Sequence, residues 1–191
     1  MDRRNFFKRA ASKVTRVAVE KADALAQDNA SRWIRPPYAL DELEFLLACT
    51  RCGDCVDACE YKTIFLLPAR VGAKSVGTPA LDLLNKGCHL CADWPCVAAC
   101  EPKALKLPDV KEPESIQLPC LAMAEIDVSA CLPYSGPECG ACVNSCPVPD
   151  ALQWELEKPV INEKLCVGCG MCREACIVEP KAVLIRSSIR G

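Results

Sequence analysis

The stretch from Cys166 to Cys176, Cys-Val-Gly-Cys-Gly-Met-Cys-Arg-Glu-Ala-Cys, leaves this chain few choices. Its spacing is C-x2-C-x2-C-x3-C. Three thiolates so spaced on one tight loop reach three irons of a single [4Fe-4S] core, and the fourth, on the helical turn that follows, points away toward a second core. Gly168 and Gly170 supply the positive backbone dihedrals that such a loop requires and leave N–H groups free to face sulfur. A run of this kind implies a partner run.

Three more runs are present. Cys49, Cys52, Cys55 and Cys59 keep the same spacing; Cys88, Cys91, Cys96 and Cys100 have four residues in the middle gap; Cys131, Cys139, Cys142 and Cys146 have seven in the first. Sixteen of the seventeen cysteines therefore fall into four sets of four, with Cys166, Cys169, Cys172 and Cys176 as the last. This predicts four [4Fe-4S] clusters with those sixteen cysteines as iron ligands and no catalytic side chain. A disulfide framework would spread its cysteines, and zinc sites use two separated C-x2-C pairs, so both readings fit the repeat less well. The remaining cysteine, Cys120, sits among Leu118, Pro119, Leu121 and Met123 and reads as a small apolar core residue. His89, the one histidine, lies between two ligands; a Rieske-type iron needs two histidines, so His89 is expected to pack beside a cluster.

Composition narrows the function. Only ten of 191 residues are aromatic, and fifteen Pro with nine Gly imply many tight turns, so inorganic cores are expected to help hold the fold together. The formal charge is −2, and four oxidised thiolate-bound clusters would take the loaded protein to roughly −10. No basic patch with interleaved aromatics suggests nucleic acid, and no run of about 18 apolar residues suggests a transmembrane span. Asp54, Glu101 and Glu174 read as solvated charges, and no acid–base pair or phosphate-binding glycine loop stands out.

The first 40 residues carry no cysteine. Asp2-Arg3-Arg4-Asn5-Phe6-Phe7-Lys8 resembles a twin-arginine export motif, but Lys13, Arg16, Glu20 and Lys21 interrupt the apolar stretch that a signal needs. Phe6, Phe7, Ala10, Val14, Val17, Ala18 and Leu25 recur at helical spacing. Residues 3–28 therefore read as a retained amphipathic helix that docks on a partner or a membrane surface, with cytoplasmic location; periplasmic export is the alternative. Arg35-Pro36-Pro37 reads as an extended linker. A short helix is expected over Asp41–Ala48 with Leu43, Leu46 and Leu47 on its buried side. Each cysteine run is followed by a helical turn and a short strand: residues 61–66, 101–105, 150–156 and 180–185. Residues 67–87 read as a loop with a helical piece at Ala80–Asn85, residues 122–127 as a strand, and Val160-Ile161-Asn162 as the start of the last hairpin.

Two pairings of the runs are open. The first can exchange its fourth cysteine with the second and the third with the fourth, or the pairing can be nested. Nesting is preferred, because the two regular runs are the outer two. It gives Cys49, Cys52, Cys55 with Cys176; Cys166, Cys169, Cys172 with Cys59; Cys88, Cys91, Cys96 with Cys146; and Cys131, Cys139, Cys142 with Cys100. A nested order is also similar to the multi-cluster subunits of molybdenum oxidoreductases.

Over about residues 35–190 the chain resembles the ferredoxin-type NapF/NapG/MauM family. The resemblance rests on Arg35-Pro36-Pro37, on Cys49-Thr50-Arg51-Cys52-Gly53-Asp54-Cys55, on Gly77-Thr78-Pro79, on the stretched third run and on Cys166-Val167-Gly168-Cys169-Gly170. It implies an electron-transfer protein without enzymatic activity of its own, working with an oxidoreductase subunit or a quinol-linked membrane protein. NapG-like members are exported, whereas NapF-like members stay in the cytoplasm and are linked to molybdoenzyme maturation, which makes a maturation factor the alternative function. The chain departs from the family by lacking an apolar signal core, and from many ferredoxins by having Glu60, Glu101 and Ile177 where proline often follows the fourth cysteine. The expected fold is α+β: tandem bacterial-ferredoxin-like modules, nested, with an N-terminal helical extension over residues 1–40. Residues 41–66 with 159–191 would form one module and 86–158 the inserted second.

Overall fold

The computed structural model describes residues 33–71, 73–109 and 117–187. The amphipathic or export segment read at residues 3–28 lies outside them.

The chain builds the same design twice. In the first module, α1 (Glu42–Ala48) precedes the first cysteine loop and α2 (Asp54–Asp57) closes it. Strand β1 (Ile64–Leu66) follows, then a 3-10 turn at Ala69–Val71, strand β2 (Pro79–Leu81), the second cysteine loop and α3 (Pro95–Ala98). In the second module come β3 (Ala122–Ile126), α4 (Leu132–Ser135), β4 (Leu152–Glu155), β5 (Lys158–Ile161), α5 (Met171–Ala175) and β6 (Val183–Ser187).

Strand pairing defines the modules. β1 and β2 run antiparallel with Ile64 opposite Leu81, and β4 and β5 do the same with Leu152 opposite Ile161. Each of these inner pairs joins the end of one cysteine run to the start of the next. An outer pair then closes each module. β3 pairs antiparallel with β6, Ala122 opposite Ser187 and Ile126 opposite Val183. In the first module the outer pair shrinks to one antiparallel bridge, Ala39 to Leu105. It is held by Leu40 N–H to the Ala104 carbonyl at 3.0 Å and Lys106 N–H to the Tyr38 carbonyl at 2.9 Å. The modules are therefore consecutive, about 33–109 and 117–187, and the nested arrangement expected from spacing is not the one the chain adopts. The physical reason is local: the inner pairs bring neighbouring runs side by side, so a fourth cysteine meets the run next along the chain.

Three smaller expectations also change. Arg35-Pro36-Pro37 is no linker: both prolines are fully buried, and the Ile34 carbonyl accepts the Leu81 N–H at 2.7 Å. Arg35 donates to both Glu42 carboxylate oxygens at 2.6 and 2.9 Å, to Thr78 Oγ1 at 2.9 Å and to the Pro79 carbonyl at 2.8 Å. Its guanidinium lies 4.6 Å from the Phe45 ring centroid. This contact turns α1 so that Phe45 is fully buried, Leu43 and Leu46 are partly buried and Leu47 is 80% exposed. The helical piece expected at Ala80–Asn85 is instead the β2 strand and a turn, since β1 requires a partner.

The modules meet along a seam between residues 83–88 and 169–174. Cys88 N–H donates to the Cys169 carbonyl at 2.7 Å, Gly87 N–H to a Glu174 carboxylate oxygen at 2.7 Å, and Arg173 Nε to the Leu84 carbonyl at 2.9 Å. Glu174, read from sequence as merely solvated, ties one module to the other. Gly87 is needed for closeness: a Cβ there would lie 2.8 Å from Met171 Cα.

Candidate metal centres

The cysteine loops repeat a backbone device. In the first loop Arg51 and Gly53 have positive φ, in the second Leu90 and Trp94, in the fourth Gly168 and Gly170. Left-handed residues placed this way turn successive N–H groups toward the concave side of the loop, where an anionic group would sit. Among the described residues, Gly168 N–H in the fourth loop donates to Cys166 Sγ at 3.4 Å, and beyond the second loop Leu105 N–H donates to Cys100 Sγ at 3.3 Å. Gly168 also permits the close pass of β3, since a Cβ there would lie 2.0 Å from the Ala122 carbonyl oxygen.

The structure gathers sixteen cysteines into four sets, each drawing three from one run and one from its neighbour. Cys59, Cys88, Cys91 and Cys96 line one cavity, with Trp94, Tyr61 and His89 beside them. Cys131, Cys139, Cys142 and Cys176 line another, and Cys146, Cys166, Cys169 and Cys172 one more. Cys100 joins Cys49 and Cys52 around Cys55. The first three cysteines of each run lie together, whereas every fourth lies elsewhere than the nested pairing expects: Cys100 rather than Cys176 is beside Cys49, Cys52 and Cys55, and Cys59, Cys146 and Cys176 move likewise. The signal that finds the true partner is the strand register, which cysteine spacing does not carry.

The four sets form a row. Numbered by the run that supplies three of the four thiols, the first set (with Cys49) neighbours the second (with Cys88) through Cys55 and Cys96, the second neighbours the fourth (with Cys166) through Cys88 and Cys169, and the fourth neighbours the third (with Cys131) through Cys172 and Cys142. The spatial order is first, second, fourth, third.

These thiols are poor residents of their own pockets. Burial, then the repulsion of neighbouring thiolates, pushes Cys55, Cys96 and Cys172 up to about 12. Burial likewise pushes Cys169 up to about 12 and Cys88 and Cys142 to about 11. Four converging thiolates need a cationic core to offset that cost. All seventeen cysteines are free of disulfides. The sulfurs surround cavities rather than a point: among the described residues no three His, Cys, Asp or Glu side chains close on a single ion. Apolar walls, four sulfurs and N–H donors at the loops fit [4Fe-4S] groups.

The side residues fall into place around them. Trp94 is buried, packs edge-on against Tyr38 with centroids 4.8 Å apart and helps wall the cavity of Cys59, Cys88, Cys91 and Cys96. His89 stacks on Tyr61 at 3.4 Å between centroids, beside the same cavity. Cys120 is half-buried with its sulfur 3.8 Å from the Ala122 carbonyl, outside the four sets.

Two α+β units carrying four-thiol cavities define an iron–sulfur protein of the ferredoxin type. A family model described as "4Fe-4S dicluster domain" matches residues 123–177, which hold the third and fourth runs together. NapG of Escherichia coli (strain K12), a ferredoxin-type protein, is 34% identical over 165 residues, covering 80% of this chain and 69% of that one. The methylamine utilization ferredoxin-type protein MauM of Paracoccus denitrificans (strain Pd 1222) is 35% identical over 170 residues, covering 81% and 71%. The ferredoxin-type protein NapF of Escherichia coli (strain K12) is 34% identical over 154 residues, covering 78% and 83%. The chain belongs to this ferredoxin-type NapF/NapG/MauM family. No solved structure matches it. Among the described residues no helix is long and apolar enough to cross a membrane.

Proposed function

We propose that this chain is a one-electron relay carrying four [4Fe-4S] clusters between redox proteins. The ligand sets would be Cys49, Cys52, Cys55 and Cys100; Cys59, Cys88, Cys91 and Cys96; Cys131, Cys139, Cys142 and Cys176; and Cys146, Cys166, Cys169 and Cys172. The observation that carries the reading is the row of four thiol sets, with the two modules hydrogen-bonded at Cys88 and Cys169, a cysteine of each inner set. When bound, each cluster supplies reversible one-electron storage. The chain's own part is to hold the sulfurs, keep water out with Trp94, Val148, Val167 and their neighbours, and aim backbone N–H groups at ligand sulfurs. The partners would be an oxidoreductase subunit or a quinol-linked membrane protein, with the chain as carrier rather than enzyme.

Anaerobic preparation of the full chain with iron and sulfide analysis tests the count; about sixteen irons per polypeptide are expected. Cys100→Ser and Cys176→Ser test the sets. The first should alter the signal of the site with Cys49, Cys52 and Cys55, the second that of the site with Cys131, Cys139 and Cys142. Pale protein with far less iron, or Cys176→Ser acting on the Cys49 site, would refute the reading.

A further inference from the structure

The third thiol set has an unexplained donor on its wall. Trp154 Nε1 is the one side-chain nitrogen or oxygen atom among the described residues that is buried without a hydrogen-bond partner. A buried N–H left unpaired is costly and calls for a physical reason. Trp154 sits on β4 opposite Pro159 and lines the cavity of Cys131, Cys139, Cys142 and Cys176. The Pro159 carbonyl already accepts the Tyr134 hydroxyl at 3.0 Å. Every other side chain on that wall is aliphatic or proline, including Ile126, Leu132 and Val183, so the cysteine sulfurs are its only side-chain acceptors.

We propose that the Trp154 indole N–H donates to a sulfur of the group held by Cys131, Cys139, Cys142 and Cys176, and so holds the potential of that site above the value its apolar walls would set. The inference rests on the cluster reading above. A donor dipole stabilises the more negative, reduced form more than the oxidised one, so it favours reduction. The corresponding position in the first module is Leu66, which lies opposite Pro79 as Trp154 lies opposite Pro159 and carries no donor. The first and third sites occupy matching places in two modules of one design, and this side chain makes them unequal.

The test uses the full, iron-loaded chain. Trp154→Phe, and replacement of the indole by isosteric benzothiophene, each remove the N–H; redox titration followed by electron paramagnetic resonance then reads the four sites. One potential should move to a more negative value in both variants while three stay, and the moving signal should be the one that Cys176→Ser alters. In deuterium oxide the wild-type signal should lose an exchangeable-proton coupling that both variants lack from the start. Unchanged potentials, or an exchangeable coupling that survives in the variants because water or backbone supplies it, would overturn the proposal. Iron loss in the isosteric variant would overturn it too, by making Trp154 a packing residue. Wild-type protein that holds no iron at this site would instead sink the cluster reading itself.

Discussion

Gly87→Ala presses on the seam between the modules at its tightest point. The new Cβ would lie 2.5 Å from Met171 Sδ, 2.8 Å from Met171 Cα and 2.9 Å from Met171 N. The sulfur can swing aside, but the backbone at the start of α5 cannot, and overpacking of this kind costs about 1–3 kcal/mol. The same displacement stretches the bond from Gly87 N–H to Glu174 at 2.7 Å, and a hydrogen bond to a charged group contributes about 1.5–3 kcal/mol. One movement causes both losses, so they do not add fully, and the seam should open about 2–4 kcal/mol more easily. Each 1.4 kcal/mol is a factor of ten, which makes amide hydrogen exchange at residues 87 and 88 about 30- to 700-fold faster. Native-state exchange read by mass spectrometry on iron-loaded protein measures it directly. Gly140→Ala is the control: nothing lies within 4 Å of its Cβ, and exchange at the seam should not change. Exchange at residues 87 and 88 that rises less than about threefold in fully loaded Gly87→Ala would show that the modules are not locked there.

Two other outcomes follow from the same structure. Arg35→Ala strands Glu42, whose side chain is only 6% exposed, and should destabilise the first module by about 3–5 kcal/mol; thermal release of iron at an unchanged temperature would refute it, and Arg35→Lys should rescue little because a single ammonium cannot span both carboxylate oxygens. Residues 1–30 fused to a reporter active only after twin-arginine export should leave it in the cytoplasm, since Lys13, Arg16, Glu20 and Lys21 interrupt the apolar stretch; removing those four charges should restore export, and export of the unaltered fusion would overturn the retained-helix reading.

Sequence alone located the cysteine loops, the helix that begins at Glu42 and the strands that follow the first, third and fourth loops, because each is written in local spacing and composition, whereas residues 101–105 make a single bridge instead of the expected strand. It could not say which loop lends its fourth thiol to which site. That choice is made by Ile64 lying opposite Leu81 and Ala122 opposite Ser187, contacts between residues far apart along the chain. Arg35-Pro36-Pro37 was misread for the same reason. Prolines predict an extended backbone correctly, but nothing nearby reveals that Arg35 will bond Thr78 and Pro79, more than forty residues downstream. Leu47 looked buried by helical periodicity, yet the Arg35 contact with Phe45 sets which side of a seven-residue helix faces inward. Trp154 gave no sign in sequence beyond its place after the third run; its meaning comes from an unpaired N–H beside four sulfurs.

The row of sites does not follow the order of translation. A chain that stopped near Leu165 would lack Cys166, Cys169 and Cys172 from the middle of the row, and Cys176 from the far end. On the proposed relay, such a protein would keep the two thiol sets of the first module and lose the set that faces them across the seam, rather than becoming a shorter wire of the same kind. On the relay proposed above, the segment from Cys166 to Cys176 is the one through which the two modules exchange electrons, although it is written at the far side of the sequence from the first two sites.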